Sequence, residues 1–116
     1  MNWERLENAE QLKSIKDRSN AHPVLIFKHS TRCAISGTIL GRLERNWNSS
    51  EMRDVSPYYL DLIRHRDVSN LVASEFQIQH ESPQVLVIRN GLVVYDASHI
   101  GINYEELEQV AKKSST

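Results

Sequence analysis

Short β-rich apolar runs alternate along this chain with stretches that repeat apolar residues at helical spacing, and this alternation constrains the fold more than any other feature. Residues 24–27, Val-Leu-Ile-Phe, are wholly apolar, as in a strand buried on both faces. Residues 57–62 read as a second core strand, with Pro57 at its first position, where a missing N–H is tolerated. Ser82-Pro83 leads into a third run over residues 84–89. Asn90-Gly91 then signals a tight hairpin, because both residues accept positive φ, and residues 92–96 supply the returning strand. Between these runs, Ala9, Leu12 and Ile15 predict a helix over 9–20, capped by Asn8 and stopped by His22-Pro23. Ile35, Ile39, Leu43 and Trp47 form one helical stripe, widened by Leu40, so that helix is expected to bury Ile35, Ile39 and Leu43. Leu71, Val72 and Phe76 mark a third helix, beginning after Asp67 or Ser69. Asn103 caps a fourth, containing Tyr104, Leu107, Val110 and Ala111. Residues 3–6 are either a short first strand or a docking segment, and residues 112–116 read as a polar tail.

With the first strand included, the order is β-α-β-α-β-α-β-β-α. It predicts an α/β fold: a three-layer α/β/α sandwich around a mixed central sheet, finished by a C-terminal β-hairpin and helix. The 116 residues fit one domain, 1–116, whose core must stabilise it unaided, since one cysteine cannot form an internal disulfide. No apolar run approaches a membrane span, and the start MNWERLENAE lacks the basic and apolar regions of a signal peptide. The expected location is therefore the reducing cytoplasm. A formal charge of −1 argues against nucleic-acid or membrane partners, and the expected state is a monomer or weak dimer.

The lone cysteine follows a buried strand and opens a helix. Helix N-termini carry unpaired N–H groups and a partial positive charge, both of which favour a thiolate, the nucleophile of disulfide exchange. Lys28, His29 and Arg32 stand just upstream of Cys33 and add positive potential. Ser36 falls one turn along, where its hydroxyl can donate to the sulfur. The resulting Cys-x-x-Ser pattern holds a hydroxyl where a dithiol enzyme keeps its resolving cysteine. The plain alternative is a small core residue, which is what most free cysteines are.

Ser82-Pro83 also has two readings. Proline is a common first residue of a strand. Alternatively, the bond is cis, which X-Pro adopts at a cost of only about 0.5–1 kcal/mol. The Ser82 backbone would then offer an open edge to an extended substrate segment near the cysteine.

The string Lys28-His29-Ser30-Thr31-Arg32-Cys33-Ala34-Ile35-Ser36, the Ser82-Pro83-Gln84 turn and the Asn90-Gly91 hairpin together resemble the monothiol bacilliredoxins, thioredoxin-like proteins of the bacillithiol redox system. The resemblance runs nearly the whole length of the chain. It implies a thioredoxin-like fold and removal of bacillithiol, or a similar low-molecular-weight thiol, from S-thiolated client proteins. It puts the active cysteine on Cys33, with Ser36, Arg32, His29 and Thr31 supporting it. Ser82 and the cis-proline Pro83 position the substrate. The small thiol is a co-substrate, and no bound cofactor is implied. Many members carry proline directly after the cysteine, whereas Ala34 stands there in this chain.

The five histidines, His22, His29, His65, His80 and His99, form no recognisable ligand spacing, so no metal is expected. Arg64-His65-Arg66 reads as a solvated loop, or else as a patch that attracts the carboxylates of an anionic thiol. Two rival functions use the same fold: a non-catalytic binding module, and a glutaredoxin-like carrier sharing an iron–sulfur cluster across a dimer. Loss of exchange in a Cys33→Ser variant argues against the first, and an absorption spectrum tests the second.

Overall fold

The computed structural model describes residues 2–112. Ten residues, Ala9–Arg18, form α1, which a capping box starts: Gln11 N–H donates to Asn8 Oδ1 while Gln11 Oε1 accepts from Asn8 N–H. Strand β2, Val24–His29, follows Pro23 and is buried at every position. It runs into α2, Ala34–Asn46, through a turn closed by the Cys33 N–H bonding to the Ser30 carbonyl. Strand β3 is Ser56–Asp61, α3 is Arg66–Glu75, β4 is Gln84–Arg89 and β5 is Leu92–Ser98. A single 3₁₀ turn, His99–Gly101, precedes α4, Tyr104–Lys112, where Asn103 Oδ1 accepts from the Glu106 N–H. The polar tail predicted from residue 112 on lies outside the described residues, apart from Lys112, which closes α4.

The expected first strand exists, in short form: β1, Glu4–Arg5, pairs in parallel with Tyr58 and Tyr59 of β3. The sheet order is β1-β3-β2-β4-β5, parallel up to β2 and antiparallel beyond it. Val24, Ile26, Tyr58, Leu60, Leu86 and Ile88 face one way, against Leu12 and Ile15 of α1 and Val68 and Val72 of α3. Leu25, Phe27, Val85 and Val87 face the other way, against Ile39 and Leu43 of α2 and Leu107 and Ala111 of α4. These two apolar layers cover both faces of the central strands, which explains their unbroken apolar runs. Among the described residues, no helix is long and apolar enough to cross a membrane.

The third helix starts earlier than expected, at Arg66 rather than after Asp67 or Ser69, and two further expectations about α2 and β2 need correction. Ile35 is not buried with Ile39 and Leu43 but 56% exposed. Residues spaced i, i+4 drift about 40° around a helix at each step, so the start of such a stripe sits off the centre of contact. Ser36 lies closer to that centre and is fully buried. The second correction is that β2 does not end at Phe27. Lys28 and His29 continue it, paired with Leu60 and Asp61 of β3, so two of the basic residues expected just upstream of Cys33 lie inside the sheet.

Candidate active site

The carboxyl ends of β1, β3 and β2 point to one end of the sheet, and the antiparallel β4 starts there. Cys33 leaves β2 at that end and Pro83 enters β4 at the same end, since Lys28 pairs with Gln84 across the two strands. Cys33 is partly exposed at the N-cap of α2, in extended backbone conformation. Its carbonyl already accepts from the Gly37 N–H, so the side chain stands at the open first turn. Thr31 and Arg32 form the exposed turn before it, and Ala34 and Ile35 are exposed after it. The Ser82–Pro83 bond is cis, and the Pro83 carbonyl accepts from the His99 N–H at 3.0 Å. Neither the N–H nor the carbonyl of Ser82 has a backbone partner among the described residues.

Ser36 does not serve the sulfur as its spacing suggests. Its hydroxyl is turned inward, 2.7 Å from His29 Nδ1, and accepts from the Ser30 N–H at 3.2 Å. No hydrogen bond joins it to the Cys33 sulfur among the described residues. His29 packs beside Phe27 and Tyr59, with ring centroids 6.1 and 5.5 Å away. Burial lowers its pKa below the ordinary value, against the opposing pull of Asp61 and Glu44. A neutral ring bonded through Nδ1 therefore ties the first turn of α2 to the end of β2. The His29–Ser36 pair is a structural tie that sequence reasoning missed. The two are seven positions apart in sequence, and only the strand-to-helix turn brings them together.

Lys28 is also misplaced by the sequence. It points away from the loop, onto the α1/α3 face, where it is fully buried. Its ammonium donates to the Ser69 carbonyl at 3.3 Å and to His80 Nδ1 at 3.2 Å. Of the other singled-out residues, Arg64 and Arg66 are exposed and His65 stands 3.6 Å from Glu7. His22 lies at the far end of the sheet, before β2, and His99 stands 3.6 Å from Glu81. Among the described residues, no three His, Cys, Asp or Glu side chains converge on a possible metal position.

A partly exposed cysteine at a strand-to-helix turn, at the same end of the sheet as a cis X-Pro bond that opens the neighbouring strand, is the arrangement of a thioredoxin-fold thiol oxidoreductase. Over residues 4–107 the chain matches the model of the family described as monothiol bacilliredoxin BrxC, and it belongs to that family. Among solved structures, a thioredoxin-fold protein provisionally described as an oxidoreductase is similar at 30% identity. That match covers 90% of this chain and 89% of the other, with a TM-score of 0.75. Thioredoxin of Malassezia sympodialis, at 15% identity over 99% and 92% of the two chains, gives a TM-score of 0.75. Fasciola hepatica thioredoxin, at 15% over 94% and 96%, gives 0.72. The last two bear on the fold alone.

Proposed function

We propose that this protein removes bacillithiol, or a similar low-molecular-weight thiol, from mixed disulfides on client proteins through Cys33. The observation that carries the reading is the sole cysteine, partly exposed at the first turn of α2, in a chain of the monothiol bacilliredoxin family. The Cys33 thiolate attacks the small-thiol sulfur of the client's mixed disulfide. A bond forms between Cys33 and the small thiol, the client–small-thiol bond breaks, and the client sulfur leaves as a thiolate. A second small thiol then attacks the adduct on Cys33, leaving as the oxidised dimer and restoring the reduced protein. The first-turn N–H groups of α2 are hydrogen-bond donors at the Cys33 end of the helix, and Arg32 adds a positive charge at the exposed turn before it. The unpaired Ser82 backbone is suited to bond an extended client segment alongside. In this scheme no bound cofactor takes part, and the cytoplasm is the compartment in which free small thiol is available as co-substrate.

A peptide carrying bacillithiol or glutathione in a mixed disulfide tests this directly. Wild-type protein with free thiol should return the reduced peptide, faster from the bacillithiol adduct, and Cys33→Ser should return none above the free-thiol background. Equal activity in Cys33→Ser would contradict the mechanism.

A further inference from the structure

The segment that delivers Ser82 is short and has little backbone structure of its own. Phe76 is the C-cap of α3, Gln77 takes the left-handed conformation (φ 51°), and the Ile78 N–H reaches back to the Ala73 carbonyl. From residue 78 to the cis bond the chain forms no helix or strand. Two side chains reach up from the sheet to hold it. Gln84 Nε2 donates to the Gln79 carbonyl at 3.0 Å, and Lys28 Nζ donates to His80 Nδ1 at 3.2 Å. Lys28 and Gln84 are opposite partners on β2 and β4, so they share one sheet face, and both are buried. Gln84 Oε1 has no hydrogen-bond partner among the described residues.

Lys28 is the costly member of the pair. Val24 and Ile26, its predecessors on the same face, are apolar, and an aliphatic residue would suit position 28 as well. Burying an ammonium beside neutral acceptors alone is unfavourable. Desolvation accordingly pushes the Lys28 pKa down to about 8.

We infer that Lys28 and Gln84 are positioning residues for the exchange reaction, clamping segment 78–82 so that the Ser82 backbone is held ready for the client disulfide. The inference rests on the proposed role of Ser82. Its weak link is His80, which must be neutral at Nδ1 to accept from Lys28. Lys28 of β2 and Arg66 of α3 oppose protonation of His80, Glu81 on its own segment favours it, and Ser69 Oγ lies 3.3 Å from the same nitrogen. Burial and these cations lower the His80 pKa, so the clamp holds at neutral pH and opens as pH falls below the ordinary histidine range of about 6.5.

The test compares wild type, Lys28→Met, His80→Ala and His80→Gln by amide hydrogen exchange at Ile78, the residue of segment 78–82 whose N–H has a backbone partner among the described residues. It adds KM and kcat for a glutathionylated peptide, and the rate of Cys33 alkylation by iodoacetamide. Losing a hydrogen bond from a charged donor should speed loop exchange about tenfold or more in Lys28→Met and His80→Ala. KM should rise several-fold in both, with kcat and alkylation unchanged. His80→Gln, whose amide oxygen can still accept from Lys28, should restore protection and remove the loosening that wild type shows at acidic pH. Wild-type loop protection and KM in Lys28→Met would overturn the inference. A change in alkylation with an unchanged KM would also overturn it, placing Lys28's effect on the sulfur. Should Lys28→Met not fold, the two His80 variants decide by the same readouts. A wild-type protein without exchange activity would refute the proposed function, while loop protection would still decide whether the clamp exists.

Discussion

Ser36 meets its hydrogen-bonding needs without the sulfur: it accepts from Ser30 N–H and bonds to His29 Nδ1, all within the buried turn. Replacing it with alanine strands two buried polar groups, so Ser36→Ala should lose about 1–3 kcal/mol of stability in urea unfolding, with an unchanged m-value. The alkylation rate of Cys33 should stay at the wild-type value. A slowed rate at full stability would return Ser36 to the sulfur. His29 adds a pH dependence whose sign follows from its depressed pKa. A folded-state pKa below the unfolded value means that stability is complete above about pH 6.5 and is lost as pH falls through the lowered value. The urea midpoint of wild type should therefore fall between pH 7 and pH 5 more steeply than that of His29→Asn. Parallel curves would show that His29 is not the group responsible. None of this was legible from Cys-x-x-Ser spacing, because the spacing places Ser36 one turn from Cys33 but leaves open which way its hydroxyl points.

The elements were largely legible, and α2 shows both why and where legibility ends. Its stripe of Ile39, Leu43 and Trp47 identified the helix and its inner face, since apolar periodicity reports burial directly. Ile35 satisfied the same spacing yet faces solvent, while a serine takes the inner position at that end. Ile39→Ala should cost about 2–5 kcal/mol, as for other buried aliphatic truncations. Ile35→Ala should stay within about 0.5 kcal/mol. Comparable losses at both sites would contradict this packing of α2. The hairpin and β4 boundaries were readable from Asn90-Gly91 and Ser82-Pro83, which are local signals. The end of β2 was not, because the alternation of Lys28 and His29 between two faces has no meaning until the covering elements are known. Lys28 faces α3 and residue 80, both distant in sequence, so its burial could not be inferred from its neighbours.

At the scale of the molecule, family and fold agree on a thiol oxidoreductase built around one cysteine. A protein with a second active-site thiol closes its own disulfide and expels a bound small thiol rapidly, because the neighbouring thiol acts at high effective concentration. This chain has no such partner, and the hydroxyl at the resolving position is occupied by His29. The proposed cycle therefore pauses at a mixed disulfide on Cys33 until an external thiol arrives. Intact-mass and peptide mass spectrometry after treatment with oxidised bacillithiol, in the absence of free thiol, tests it most directly. A single adduct is expected, on Cys33, that persists on standing and is released on adding excess free thiol. An absent adduct, or one lost without added thiol, would contradict it.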